Sequence, residues 1–138
     1  MKISTKGRYA LRIMLDIAIH DTNDYISVKD ISKRQDITTK YMEQIISQLN
    51  KAGLLKSFRG SSGGYKLSKK PKEYTVGEIL CAIEGNLAPV TCLEYIPNQC
   101  KRCNECITLP LWGGLYKVIQ EYLDNVTLEN LLNNKHEI

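Results

Sequence analysis

The strongest constraint on the fold is the run Arg59-Gly-Ser-Ser-Gly-Gly, in which five small residues follow one arginine. Leu54 to Arg59 before it and Tyr65 to Leu67 after it have strand character, so the run predicts a tight hairpin tip. What precedes the hairpin decides what it is. Tyr9, Ala10, Ile13, Met14, Ile17 and Ala18 recur at helical spacing, predicting a first helix from Thr5 to about Asp21 that opens after Ser4 or Thr5. Tyr25-Ile26 reads as a short extended connector. Ser27, with Asp30 three positions on, then caps a short helix ending between Arg34 and Asp36. Ile37-Thr38 opens a third helix, which Gly53 stops. Two helices joined by a short turn and followed directly by a β-hairpin form a winged helix-turn-helix pattern.

The third helix divides into two faces. Tyr41, Met42, Ile45, Ile46 and Leu49 form the apolar stripe, while Lys40, Glu43, Gln44, Ser47, Gln48 and Lys51 lie opposite. On the hairpin tip, Arg59 stands among small residues, including Ser61 and Gly63, that let backbone approach a phosphate or a minor-groove wall. Charge supports the same assignment. Residues 1–72 carry 15 Lys and Arg against 6 Asp and Glu, a net +9, whereas residues 73–138 carry 4 against 9, a net −5. One half is suited to a polyanion and the other is not.

In the second half, Thr75 and Glu78 have the spacing of a capping box for a helix carrying Val76, Ile79, Leu80 and Ile83 and ending at Gly85. Residues 86–109 lack periodicity. Pro110 suits a first helical turn, and Leu111, Trp112, Leu115, Val118, Ile119, Tyr122 and Leu123 form a broad apolar stripe along the helix that follows. With the charge so divided, that stripe is expected to pack on the same helix of a second chain. Thr127 caps a last short helix, and a frayed tail is expected from Asn133.

The segments Lys2-Ile-Ser-Thr-Lys-Gly-Arg-Tyr, Tyr41-Met-Glu-Gln, Leu49 to Leu54, Arg59-Gly-Ser-Ser-Gly-Gly-Tyr and Val76 to Gly85 together resemble the IscR/NsrR/CymR group of bacterial regulators, over about residues 1–133. The resemblance implies a mainly α fold with a small β-hairpin wing. A winged helix-turn-helix DNA-binding domain would span 1–72, and 73–138 would hold a helix, a cysteine-bearing sensor loop (86–109) and a long C-terminal dimerisation helix. It implies a homodimer on an imperfect palindromic operator in double-stranded DNA. Glu43 and Gln44, with Lys40 beside them, stand where family members touch base edges, and Arg59 where the wing enters the minor groove. The chemistry agrees, since Gln reads adenine and Glu accepts from a cytosine amino group. Arg8, Arg12, Lys56, Lys66 and Lys69 are candidates for phosphate contacts.

Four of the five cysteines, Cys92, Cys100, Cys103 and Cys106, fall within fifteen residues. Clustered thiols suit zinc, an iron–sulfur cluster or metal-free redox switching, and spacing alone does not choose among these. The resemblance to IscR-like proteins implies an iron–sulfur cluster, [2Fe–2S] or related, with Cys92, Cys100 and Cys106 as ligands. Leu109 occupies the position of the histidine ligand and cannot coordinate. Cys103 is the nearest substitute, and a residue from the partner subunit's N-terminal helix is the other. Cys81, in an apolar helix, reads as a small core residue, and His20 and His136 read as surface residues.

The alternative within this group is a CymR-like repressor of cysteine and sulfur metabolism that works without metal and is signalled by a partner enzyme. A more remote one is a small thiol oxidoreductase built on Cys103 and Cys106, but no strand precedes that C-x-x-C and nothing supplies a pocket. An enzyme is therefore not expected. The basic start lacks an apolar segment behind it and no window is apolar enough to span a bilayer, so a soluble cytoplasmic protein without membrane contact is expected.

Overall fold

A computed structural model describes residues 2–134. Its elements are α1 (Thr5–Ile19), α2 (Val28–Gln35), α3 (Thr39–Lys51), β1 (Leu55–Phe58), β2 (Gly64–Leu67), α4 (Val76–Glu84), α5 (Leu109–Asp124) and α6 (Leu128–Asn133). The fold is the expected winged helix-turn-helix. Residues 135–138, where most of the expected tail and His136 fall, lie outside the described residues.

Local chemistry sets the helix ends. Ser4, Ser27, Thr38, Thr75 and Thr127 each accept a hydrogen bond from a backbone N–H in the first turn of the following helix. Two of the expected capping boxes are only half made. The Glu78 carboxylate turns away to Lys69 Nζ at 3.0 Å, and at α2 only the Ser27 half, receiving Asp30 N–H, is formed. Asp36 (φ 54°) closes α2, and Gly53 (φ 77°) supplies the left-handed step after α3.

The hydrophobic core is built from one face of each helix. Ala10, Ile13, Met14 and Ile17 of α1 meet Ile31 of α2 and Met42, Ile45, Ile46 and Leu49 of α3. Burying a side chain of this kind contributes about 1.5–3 kcal/mol, so the three helices form a firmly packed head. Tyr74, Ile79 and Leu128, all beyond residue 72, complete the same core. A smaller cluster gathers Val76, Leu80 and Leu87 against Ile3, Leu11, Tyr116, Ile119, Leu123 and Val126.

Cys81 corrects the sequence reading. It is exposed, because the apolar period of α4 runs through Val76, Ile79 and Leu80 and leaves the next position outside. What burial it keeps, with the Asp124 carboxylate nearby, pushes its thiol pKa up. His20 is at the surface as expected, with Nδ1 2.9 Å from the Asp16 carbonyl oxygen.

Candidate nucleic-acid interface and cysteine loop

α3 presents a polar face outward because its apolar face is consumed by the core. Met42, Ile45, Ile46 and Leu49 are fully buried, while Lys40, Glu43, Gln44 and Ser47 are exposed along one side. Tyr41 sits half-buried at the start of the helix, edge-on to Tyr9 at 5.8 Å between ring centroids. Gln48 departs from the expected pattern. It is half-buried, and its Oε1 is buried without a hydrogen-bond partner.

The wing is an antiparallel pair in the register Leu55↔Leu67, Lys56↔Lys66, Ser57↔Tyr65 and Phe58↔Gly64. Ile26 adds a third edge, exchanging two backbone hydrogen bonds of 2.8 Å with Tyr65. Gly64 passes so close to the Ile26 carbonyl that any Cβ there would overlap it. At the tip Arg59 and Ser61 are exposed, and Gly63 donates its N–H to Gly60 O at 3.0 Å.

Two polar clusters hold this apparatus in place, and sequence reading found neither. The first is centred on Tyr74, whose ring is fully buried and whose hydroxyl donates to Leu54 O at 2.7 Å. The same oxygen accepts from Ser68 N at 2.8 Å and Lys69 N at 3.0 Å, tying both ends of the hairpin to one side chain. The second is Asp16, buried in α1. It takes Arg34 Nη2 at 2.7 Å and Gln35 Nε2 at 2.8 Å, both from the last turn of α2. The hydrogen bond that Arg34 donates to the Asp16 carboxylate raises the pKa of Arg34. Gln35 Oε1 in turn accepts from Arg12 Nε at 3.1 Å, and the Arg12 guanidinium lies over the Tyr9 ring. The only sequence signal was a carboxylate on the apolar side of α1, adjacent to Ile17.

These contacts sort the basic residues. Arg12 is engaged by Gln35 and Lys69 by Glu78, whereas Lys56 is exposed on the wing.

Cys92, Cys100, Cys103 and Cys106 lie between α4 and α5, and Cys81 lies within α4. All five are free thiols, with Cys100 exposed and Cys92, Cys103 and Cys106 half-buried. Cys92 and Cys100 line one shallow cavity with Thr91, Tyr95 and Gln99. Cys106 Sγ is 3.3 Å from Thr108 Oγ1, and that hydrogen bond lowers the thiol pKa, favouring thiolate. Among the described residues, no three His, Cys, Asp or Glu side chains converge closely enough to hold a metal ion. The donor types suit an iron–sulfur centre, but this arrangement does not gather them. Every hydrogen bond described within residues 88–108 joins positions no more than four apart.

α5 divides its apolar residues between two sides. Tyr116, Ile119 and Leu123 pack on the smaller cluster. Leu111, Leu115, Val118 and Tyr122, at helical spacing along the other side, are exposed by 61, 39, 62 and 69%. No helix among the described residues is long and apolar enough to cross a membrane.

A buried-faced helix with a free polar side, a β-wing beside it and a basic surface define a DNA-binding transcriptional regulator of winged helix-turn-helix type rather than an enzyme. The sequence profile of the Rrf2 family, described as iron-dependent transcriptional regulators, matches residues 3–134, and the chain belongs to that family. It is 39% identical over 135 residues to the HTH-type transcriptional regulator IscR of Pectobacterium atrosepticum, covering 98% of this chain and 81% of that protein. It is 40% identical over 134 residues to protein rrf2 of Nitratidesulfovibrio vulgaris, covering 97% and 89%. Among solved structures, CymR, the global cysteine regulator of B. subtilis, superposes with a TM-score of 0.78 at 35% identity, covering 99% of each chain. T. potens IscR gives 0.77 at 36% identity, covering 99% of this chain and 90% of that one.

Proposed function

We propose that this protein acts in the cytoplasm as a homodimer that reads an imperfect palindromic operator and adjusts that reading through its cysteine loop. Glu43 and Gln44, with Lys40 beside them, contact base edges in the major groove. Arg59, helped by the small residues Ser61 and Gly63, enters the minor groove. The exposed side of α5 pairs with its counterpart in a second protomer. Residues 1–72 serve as the reading domain, and 73–138 as the sensing and dimerising part.

The observation that carries the sensing role is that four thiols share a segment whose hydrogen bonds are all local. Such a segment has little of its own to hold it in one shape, so ligand binding there has ordering to accomplish. Cys92, Cys100 and Cys106 would hold an iron–sulfur cluster, [2Fe–2S] by resemblance to IscR-like proteins, with Cys103 taking the place that Leu109 cannot fill. When bound, such a cluster supplies a link between thiolates that depends on iron supply and redox state. Ordering of residues 92–106 would then shift the relative placement of the two recognition helices. The test is the visible spectrum with iron and sulfide content of anaerobically purified protein, followed by operator affinities of holo and apo forms. Absorbing, iron-containing protein with unequal affinities is expected; colourless protein that also fails reconstitution would remove the cluster.

The likeness to CymR over the whole chain, together with thiols that do not converge, favours one second reading. In it the protein is a metal-free repressor of cysteine metabolism that takes its signal from a partner enzyme. The same preparation separates the two, because a colourless apo protein with full operator affinity is what this second reading expects.

A further inference from the structure

We propose that Arg12 is a positioning residue for sequence reading, fixing the first turn of α3 through the Tyr9 ring, rather than a phosphate contact. The inference rests on the DNA-binding reading above and deepens it.

The first turn of α3 has little packing of its own. Of residues Thr39 to Met42 only Met42 is fully buried, whereas Ile45, Ile46 and Leu49 anchor the turns behind it. Lys40, Glu43 and Gln44 leave the helix from this turn and the next. The other brace on the turn is Tyr41, whose ring meets that of Tyr9 at 71° between planes, an edge-to-face pairing that matches the positive rim of one ring to the negative face of the other. Both rings also pack against the hydrophobic core.

Tyr9 is in turn held by Arg12, three positions on along α1, whose guanidinium carbon lies 4.9 Å from the ring centroid. Arg12 is fixed from its other side. Its Nε donates to Gln35 Oε1 at 3.1 Å and its Nη2 to the Gln35 carbonyl oxygen. The Gln35 amide is not free to turn over, because the Asp16 carboxylate is 2% exposed, can only accept, and takes Nε2 at 2.8 Å. That leaves Oε1 for Arg12. The contacts therefore run without a break from Asp16 through Gln35, Arg12 and Tyr9 to Tyr41. An exposed arginine in a basic domain is ordinarily free to pair with phosphate, but here two of its three nitrogens and one face of its plane are committed within the protomer. Side chains that read bases tolerate displacements of only about 0.5 Å, so a brace on the turn that carries them acts on discrimination.

The test begins with an operator selected by the wild-type protein from a pool of random duplexes. Affinity for that operator and for an unrelated duplex is then measured over a range of salt for wild type, Arg12→Lys, Tyr9→Leu and Tyr9→Phe. Lysine keeps the charge and can still bind phosphate, but it has neither the fork nor the planar face. Arg12→Lys and Tyr9→Leu should each lower the ratio of operator to unrelated affinity at least about fivefold, the low end for one misplaced base contact. Binding to the unrelated duplex and the slope of log K against log salt should stay at wild-type values, and Tyr9→Phe, which keeps the ring, should match wild type throughout. Wild-type discrimination in either Arg12→Lys or Tyr9→Leu overturns the inference. So does a loss shared equally by both duplexes, or a loss of discrimination in Tyr9→Phe. If Arg12→Lys fails to fold, Tyr9→Leu decides alone. All these results leave the DNA-binding reading intact, whereas a wild-type protein that selects no sequence overturns both.

Discussion

Val118→Asp provides a direct test of dimerisation through α5. Val118 lies in the middle of the exposed line formed by Leu111, Leu115, Val118 and Tyr122, on the side of the helix away from Ile119 and Leu123. Fully burying a valine contributes about 1.5–3 kcal/mol, so covering its exposed 62% would contribute about 1–2 kcal/mol. A twofold axis counts each residue twice, giving about 2–4 kcal/mol. An unpaired carboxylate in the same place adds a desolvation cost of several kcal/mol. The dimer dissociation constant should therefore rise at least about a thousandfold, the equivalent of about 4 kcal/mol. Sedimentation equilibrium over a wide concentration range reads this directly. Circular dichroism should be unchanged, since Val118 touches neither hydrophobic cluster of its own protomer. Unchanged dissociation would refute the assignment of this stripe, and a variant that lost its helicity would show that the stripe serves the protomer's own fold.

Tyr74→Phe removes the hydroxyl shared by Leu54, Ser68 and Lys69 while keeping the buried ring, so it should cost about 1–3 kcal/mol in urea unfolding. Asp16→Ala strands Arg34, whose side chain is 32% exposed and can partly regain water. Its cost should fall at or slightly below the roughly 3–5 kcal/mol of a fully buried pair, measured in the same way, and Asp16→Asn should recover part of it.

The legible parts of this fold were those dictated by neighbours in sequence. Ser27, Thr38, Thr75 and Thr127 announce helices because a cap acts within three residues, and Arg59 to Gly64 announces a hairpin because glycine and serine suit so tight a reversal. The outward set Lys40, Glu43 and Gln44 follows from the 3.6-residue period alone. Asp16, Arg34 and Gln35 were illegible for the opposite reason: their meeting depends on how α1 crosses α2, which no local pattern specifies. Tyr74 was hidden in the same way between a basic run and a cap. Cys81 was legible but misread, since the period of α4 already placed it one step off the buried face, and the surrounding apolar composition outweighed that. The thiols of residues 92–106 show the limit of spacing, which names donors without bringing them together.

Where a signal from the cysteine loop could act is constrained by packing. Remodelling α3 would expose some of Met42, Ile45, Ile46 and Leu49, all fully buried, at about 1.5–3 kcal/mol each. The reading head should therefore move as one body. The loop is attached at one end beyond Leu87, in the small cluster with Val76 and Leu80, and at the other where α5 begins at Leu109. α5 has no fully buried residue, so re-seating it costs far less than opening the core. A ligand that pulled the thiols together would act first on the start of α5, on the same turns that carry Leu111 and Leu115. In the proposed dimer the quantity open to regulation would be the angle and distance between two rigid reading heads, and a palindromic operator with fixed half-site spacing is the kind of target that would discriminate such a change.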